Sequence, residues 1–293
     1  MHRLFTLLAI AASFAAAQTL NGVFDIHAHC DPDVTPRSID ALNLVRLAKQ
    51  KGFRGLVLKN HYEPTASWAA LARQEVPGIE VFGGIALNRS NGGVNPAAVE
   101  RMAKVKGGWG KVVWMPTFDS ENHVKLTKEQ RPYVSVSRGG KLLPETLAVL
   151  DLIAKYKLVL ATGHSAPEES LAMIREAKQR GISSIVVTHP LNQYVRMSLA
   201  QMKQAVSLGA MLEFTGNAVL GLQKENEFKD YATAMRQVGF AAVILSSDFG
   251  QQGNPLHPDG LQRIFEGLRK EGLSVAQIEQ IVKTNPAKLL GLH

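Results

Sequence analysis

The segment LVLATGHSAPEESLAMIREAKQRGISSIVVTH, residues 158–189, decides the fold. Leu158–Gly163 and Ser184–Thr188 are short, β-branched and aliphatic runs of strand length, and Pro167–Arg180 between them has the length and periodicity of a helix. A strand, a helix and a strand in this order make a crossover unit, so the two strands lie parallel in one sheet. Each run is followed by a histidine, His164 and His189. The two imidazoles therefore fall at the same edge of that sheet.

The same rhythm continues on both sides. Upstream, Gly22–His29, Arg54–Lys59, Glu80–Leu87 and Lys111–Met115 are strands one to four, with helices near Ile39–Gln50, Ala66–Gln74, Pro96–Lys104 and Pro144–Lys155. Downstream, Ala210–Phe214 and Ala242–Ser246 are strands seven and eight, with helices near Ser198–Ser207 and Glu227–Val238. Helices near Pro258–Glu271 and Ser274–Leu290 close the chain. Eight βα units in one domain, residues 18–293, predict a (β/α)8 TIM barrel with a C-terminal helix, a fold of about 250 residues. The competing architecture, an open doubly wound sheet, would carry a glycine-rich phosphate turn after an early strand, and neither GxGxxG nor GxxxxGK[ST] stands in that context. The polar segment Pro116–Lys141 is longer than most βα loops and is expected to act as a lid.

Composition narrows the function. With 45% hydrophobic and 20% charged residues, disordered, collagen-like and coiled-coil readings fall away. The single cysteine, Cys30, excludes an intramolecular disulfide framework and any multi-cysteine zinc or iron–sulfur site, and it is read as a packing residue. The formal charge is +8, but the basic clusters are interrupted, lie on expected helices and are not interleaved with aromatics. No nucleic-acid groove is expected, only a basic surface that mildly steers anionic small molecules. Residues 1–17 combine a positive start, the apolar run Leu4–Ala17 and small residues before Gln18, the three-part pattern of a secretory signal peptide. A periplasmic or secreted mature chain without an integral membrane span is the expectation.

Chemistry concentrates at the strand ends. Five of the nine histidines, His27, His29, His61, His164 and His189, stand at or just past the C-terminal end of a strand, the face where barrel active sites are built. His27 and His29, two apart on a strand, share a side, and Asp248 follows strand eight. Nitrogen and carboxylate ligands from four strands thus converge on one point.

At these residues the chain resembles the amidohydrolase superfamily of metal-dependent barrel hydrolases. The family pattern is HxH on strand one, a carboxylated lysine or glutamate on strand four, histidines on strands five and six and an aspartate on strand eight. His27 and His29, His164, His189 and Asp248 match it in order, and residues 283–291, KTNPAKLLG, resemble a helix common near the C-terminus of such enzymes. Strand four departs from the pattern: it ends Trp114-Met115-Pro116-Thr117, without a ligand. Lys59, at the end of strand two, is a candidate replacement if it takes up carbon dioxide; an ion pair with a carboxylate or a substrate contact stands as an equal alternative. One or two ions therefore remain open.

The resemblance implies a divalent metal, zinc first and manganese or iron as substitutes, held by His27, His29, Lys59, His164, His189 and Asp248. Such an ion lowers the pKa of bound water from about 15.7 to roughly 7. Asp248 would shuttle the proton and His189 would join it in catalysis, in hydrolysis of an amide, ester, lactone or phosphoester. A metal-dependent decarboxylase and a non-catalytic metal-binding barrel are the alternatives. His61, Arg89 and His123 are candidate substrate contacts; Asp25 is a candidate to orient a ligand or to satisfy buried backbone, and Glu213 is read equally as a pocket acid or a structural hydrogen-bond partner. The partner is a small-molecule substrate; a homo-oligomer is compatible with the sequence.

Overall fold

The computed structural model describes residues 20–292, so the expected signal peptide, residues 1–17, lies outside the described residues. Eight strands form one parallel sheet in sequential order: β1 (Phe24–His29), β2 (Gly55–Lys59), β3 (Glu80–Ala86), β4 (Gly110–Trp114), β5 (Val159–Ala161), β6 (Ile185–Val187), β7 (Met211–Thr215) and β8 (Val243–Ser246). The sheet is a (β/α)8 barrel. Helices Ala41–Gln50, Ala66–Glu75, Pro96–Ala103, Pro144–Tyr156, Pro167–Gln179, Leu199–Ser207, Phe228–Val238 and His257–Lys270 follow the eight strands. Their starts are written in the sequence. Asp40, Asn95 and Ser198 cap first-turn amides, and Pro96, Pro144 and Pro167 stand where a missing N–H costs nothing.

Strand alternation builds two apolar layers. Val57, Val112, Trp114, Val159, Val186 and Ile244 pack inside the barrel, while Leu56, Leu58, Val113, Leu160, Ile185 and Val187 pack against the helices. Both faces are buried, which is why the strands are almost continuously apolar rather than alternating. At the N-terminal ends of the strands, a last helical run, Val275–Leu289 with a π-helical turn at Gln280–Thr284, tucks Leu289 and Leu290 against the interior cluster. Asn285 of the NPA motif anchors this run: its Nδ2 donates to the carbonyls of Phe240 (2.7 Å) and Val243 (2.6 Å) at the entry to β8.

The segment 116–141, the expected lid, is structured rather than a bare loop, and its Phe118 borders the central cavity. It contains a short helix, Glu121–Thr127, and leads into a two-stranded hairpin, Ser137–Arg138 with Lys141–Leu142. Ser120 Oγ and Asn122 Nδ2 each donate to the His164 carbonyl at 3.0 Å, and Asn122 Nδ2 also reaches the Tyr194 carbonyl at 2.6 Å.

Candidate metal centre

β1 carries a bulge where it matters. Its pairing with β2 steps from Asp25↔Leu56 to Ala28↔Leu58, so Ile26 and His27 together oppose Val57. Such an extra residue re-aims a side chain, and bulges recur beside active sites. His27 and His29 consequently share the inward side of β1, with Ala28 packed outward. Asp25 is displaced from them and accepts the backbone N–H groups of His27 (3.2 Å) and Ser247 (3.0 Å).

The barrel closes through the same residues. Asp248 N donates to the His27 carbonyl at 2.9 Å and His29 N donates to the Phe249 carbonyl at 3.0 Å. These two bonds join β1 to the segment after β8 and set the Asp248 side chain between the two imidazoles. Its Oδ1 lies 3.0 Å from His27 Nε2 and 3.2 Å from His29 Nε2. Asp248 and His189 both have left-handed backbones, φ 53° and φ 27°, although neither is glycine. Strain of this kind, of order 1–3 kcal/mol per residue, persists where surrounding structure imposes it and clusters at functional sites.

Around this triad the other strands bring their expected groups. Lys59 Nζ is 2.8 Å from His27 Nε2 and 5.1 Å above the Trp114 ring. His189 and His164 follow, with ring centroids 6.2 Å from His27 and 5.0 Å from each other respectively. Together with His61, these groups border a cavity of about 160 Å³. Glu213 orients His27: its Oε1 accepts from His27 Nδ1 (3.1 Å) and from Ser246 Oγ (2.6 Å), a carboxylate–histidine arrangement in which Nε2 is the nitrogen turned towards Asp248. His61 stacks on His29 at 4.8 Å. The Thr117 hydroxyl accepts from Asn88 Nδ2 (2.7 Å) and is hydrogen-bonded to His61 Nδ1 (2.9 Å).

Two expected substrate contacts sit elsewhere. His123 is buried behind His164, Nδ1 to Nδ1 at 3.0 Å, rather than on the cavity wall. Arg89 is exposed and borders a separate surface cavity beside Val134 and Arg138, because the turn after β3 leads it outward. Arg37 instead enters the central cavity from the loop after β1, alongside Phe118 and Tyr194. Only the Asp33–Arg37 spacing, which suits an ion pair, hints at this in the sequence. Cys30 is buried, and burial pushes its thiol up to about 12, as suits a packing residue.

Electrostatics fit a cation. Burial holds His29 and His164 well below the usual histidine range and His189 at about 4, so all three are neutral at pH 7, the state that ligation requires. Burial is the largest influence on His27 and lowers it, but the Asp248 and Glu213 carboxylates together overcome it and raise His27 to about 9. Asp248 is held well below its ordinary value, against burial, by His27 and then His29. Burial brings Lys59 down to about 8. Donor atoms of His27, His29 and Asp248 all lie within 4.8 Å of one another, and the buried His189 Nδ1 has no partner among the described residues. Three ligating atoms around one point, with a further imidazole unpaired beside them, suit a divalent ion. At strand four, where the family pattern places a bridging ligand, stands the Trp114 indole, 6.1 Å from the His27 ring.

Comparison with known proteins agrees with this geometry. The fold is that of the amidohydrolase and phosphotriesterase-like barrels. An amidohydrolase from Pseudomonas aeruginosa superposes with a TM-score of 0.63 at 15% identity, over 92% of this chain and 97% of that one. Organophosphorus hydrolase from Deinococcus radiodurans gives 0.61 at 15% identity, over 94% and 96%. 2,6-Dihydroxybenzoate decarboxylase, complexed with 2,6-dihydroxybenzoate, gives 0.59 at 12%, over 93% and 100%. No curated protein matches the sequence. The chain belongs to the family described as a family of unknown function, DUF6282, whose profile matches residues 22–213.

Proposed function

We propose that this protein is a metal-dependent hydrolase of small molecules, with His27, His29 and Asp248 as the core of its metal site and His164 and His189 beside them. The observation that carries this reading is the convergence of both β1 imidazoles on one Asp248 oxygen, at 3.0 and 3.2 Å, on the C-terminal face of the barrel. A divalent ion held there, zinc or else manganese or iron, supplies Lewis acidity and makes water a nucleophile near neutral pH. The chain's own residues do the rest. Asp248, ionised at neutral pH, accepts the proton of the attacking water and passes it to the leaving group. Glu213 fixes the His27 tautomer through Nδ1, and the neutral His189 donates a hydrogen bond to a developing oxyanion when its Nδ1 is unprotonated and its Nε2 carries the proton. Phe118 and Tyr194 give the cavity aromatic walls.

A decarboxylase is the second reading, favoured by Trp114 in the position of a strand-four ligand, which suits a site with a single ion. Carboxylation of Lys59 is the alternative that would support two. The pattern of residues 1–17 supports export of the mature chain. The test is turnover of a chromogenic ester, a lactone, a phosphotriester and an anilide by wild type and Asp248→Asn. We expect activity on at least one hydrolysable substrate, reduced about 10²–10⁴-fold in the variant, as for loss of a general base. Unchanged turnover in Asp248→Asn overturns the mechanism, and carbon dioxide release from an aromatic acid in place of hydrolysis selects the decarboxylase.

A further inference from the structure

The loop after β1 does more than connect. The Arg37 side chain is brought over the metal-site residues by the backbone: Ser38 N donates to the Gly250 carbonyl at 2.8 Å, and Arg37 forms an isolated antiparallel bridge with Gln251. The loop carrying Arg37 is thus joined to the loop carrying Asp248. Arg37 is 8% exposed, unusual for an arginine, and its guanidinium is clamped by Asp33: Nε and Nη2 lie 2.8 and 2.6 Å from Oδ2. The Asp33 side chain is itself fully buried. Among the described residues, nothing engages Nη1, and Arg37 borders the same cavity as His29, Lys59 and Asp248.

A guanidinium gripped along one edge presents its other edge, Nη1 with the second N–H of Nη2, as a preformed two-pronged donor. A carboxylate or phosphoryl oxyanion is the partner for that geometry. Thr35, Asn192 and Gln251 add short polar groups around it. The cavity, about 160 Å³, leaves room for a small molecule only.

We infer that Arg37, positioned by Asp33, is the specificity-determining residue of this pocket, and that the substrate carries an oxyanion group beside the scissile bond. The inference rests on the metal-dependent reading for what happens to the substrate, but not for the binding itself. That charge is held by Arg37 while the neighbouring reacting group faces Asp248.

The test is calorimetric titration of benzoate, phenylphosphonate and the neutral benzamide into wild type, Arg37→Gln and Arg37→Lys, with metal content measured on each sample. Wild type is expected to bind at least one of the two anions more tightly than benzamide. Arg37→Gln should weaken that anion at least tenfold, with benzamide and metal content unchanged. Arg37→Lys keeps the charge but loses the fork, and a weakening of about threefold or more is expected there; this variant decides the matter if Arg37→Gln fails to fold. Preference for benzoate or for phenylphosphonate tells a carboxylate substrate from a phosphoryl one. Equal affinity for anions and benzamide in wild type, or anion affinity unchanged in both variants at full metal content, overturns the inference. A wild type that takes up no zinc or manganese, yet binds the anion and loses that binding in Arg37→Gln, would instead overturn the metal reading and leave Arg37 in place.

Discussion

Asp248 combines three properties that a surface aspartate lacks: a left-handed backbone, two imidazole nitrogens on one oxygen, and a carboxyl held ionised by them. The proton shared among these groups gives the site a pH dependence of definite sign. His27 is raised to about 9, so in the metal-free protein at pH 7 it carries a proton that an incoming cation must displace. Metal affinity should therefore rise about tenfold per pH unit from 7 towards 9 and level off above, by one-proton linkage. Competition titration with a chromogenic chelator at several pH values measures it; a flat profile would mean that His27 is not a ligand. At this scale, His27, His29, His164, His189 and Asp248 were legible in the sequence because each stands at the end of a strand. Arg37 and the inward Trp114 were not. Arg37 depends on how one loop folds over another, and Trp114 on whether strand parity turns the last residue of β4 inward.

Elements place these residues through a few tight contacts. The β1–β8 seam sets Asp248 between its histidines, and the tip of β5 sets His164 through Gly163. Gly163 has φ +63°, and a Cβ there would meet the Met115 carbonyl oxygen at 2.2 Å. His164 N donates to the neighbouring Pro116 carbonyl at 2.9 Å, so any displacement moves the histidine too. Gly181 has a similar φ of +74° but nothing within 4 Å of the added atom. Gly163→Ala should thus cost more than Gly181→Ala, by roughly 1–3 kcal/mol beyond the shared backbone strain. Urea denaturation of both variants measures the difference, and equal costs would contradict the close approach. Strand and helix order were legible throughout, since each βα unit has its own apolar run and cap. The segment 116–141 was legible only as long and polar. Its short helix is held by bonds to the His164 and Tyr194 carbonyls and its hairpin by Ser137 Oγ donating to Glu169, contacts distant in sequence.

Across the whole molecule, the barrel keeps an unusual number of histidines buried and neutral. Burial holds His29, His61 and His164 well below the ordinary range, and His123 and His189 at about 4. In the unfolded chain each takes up a proton near 6.5. Stability of the metal-free protein is therefore lost as pH falls from 6.5 towards 4. His27 has the opposite sign: its contribution is present below 6.5 and is lost as pH rises through about 9. Burial lowers His257 as well, so one group against six leaves a net acid lability. The melting temperature of chelator-treated protein should fall between pH 7 and pH 5, and a flat or rising value would contradict the buried neutral state. No helix of the described residues is long and apolar enough to cross a membrane.

The central claim, that the convergence of His27, His29 and Asp248 is a metal centre, is tested most directly by quantitative metal analysis of the purified protein. Wild type and His29→Ala would be prepared without chelator, in bicarbonate, with Lys59→Ala beside them. We predict at least one divalent ion per chain in wild type and its loss in His29→Ala at an unchanged circular dichroism spectrum. A second ion that disappears in Lys59→Ala would mark a carboxylated bridge. No ion in wild type after addition of zinc or manganese, or a full complement in His29→Ala, would contradict the account.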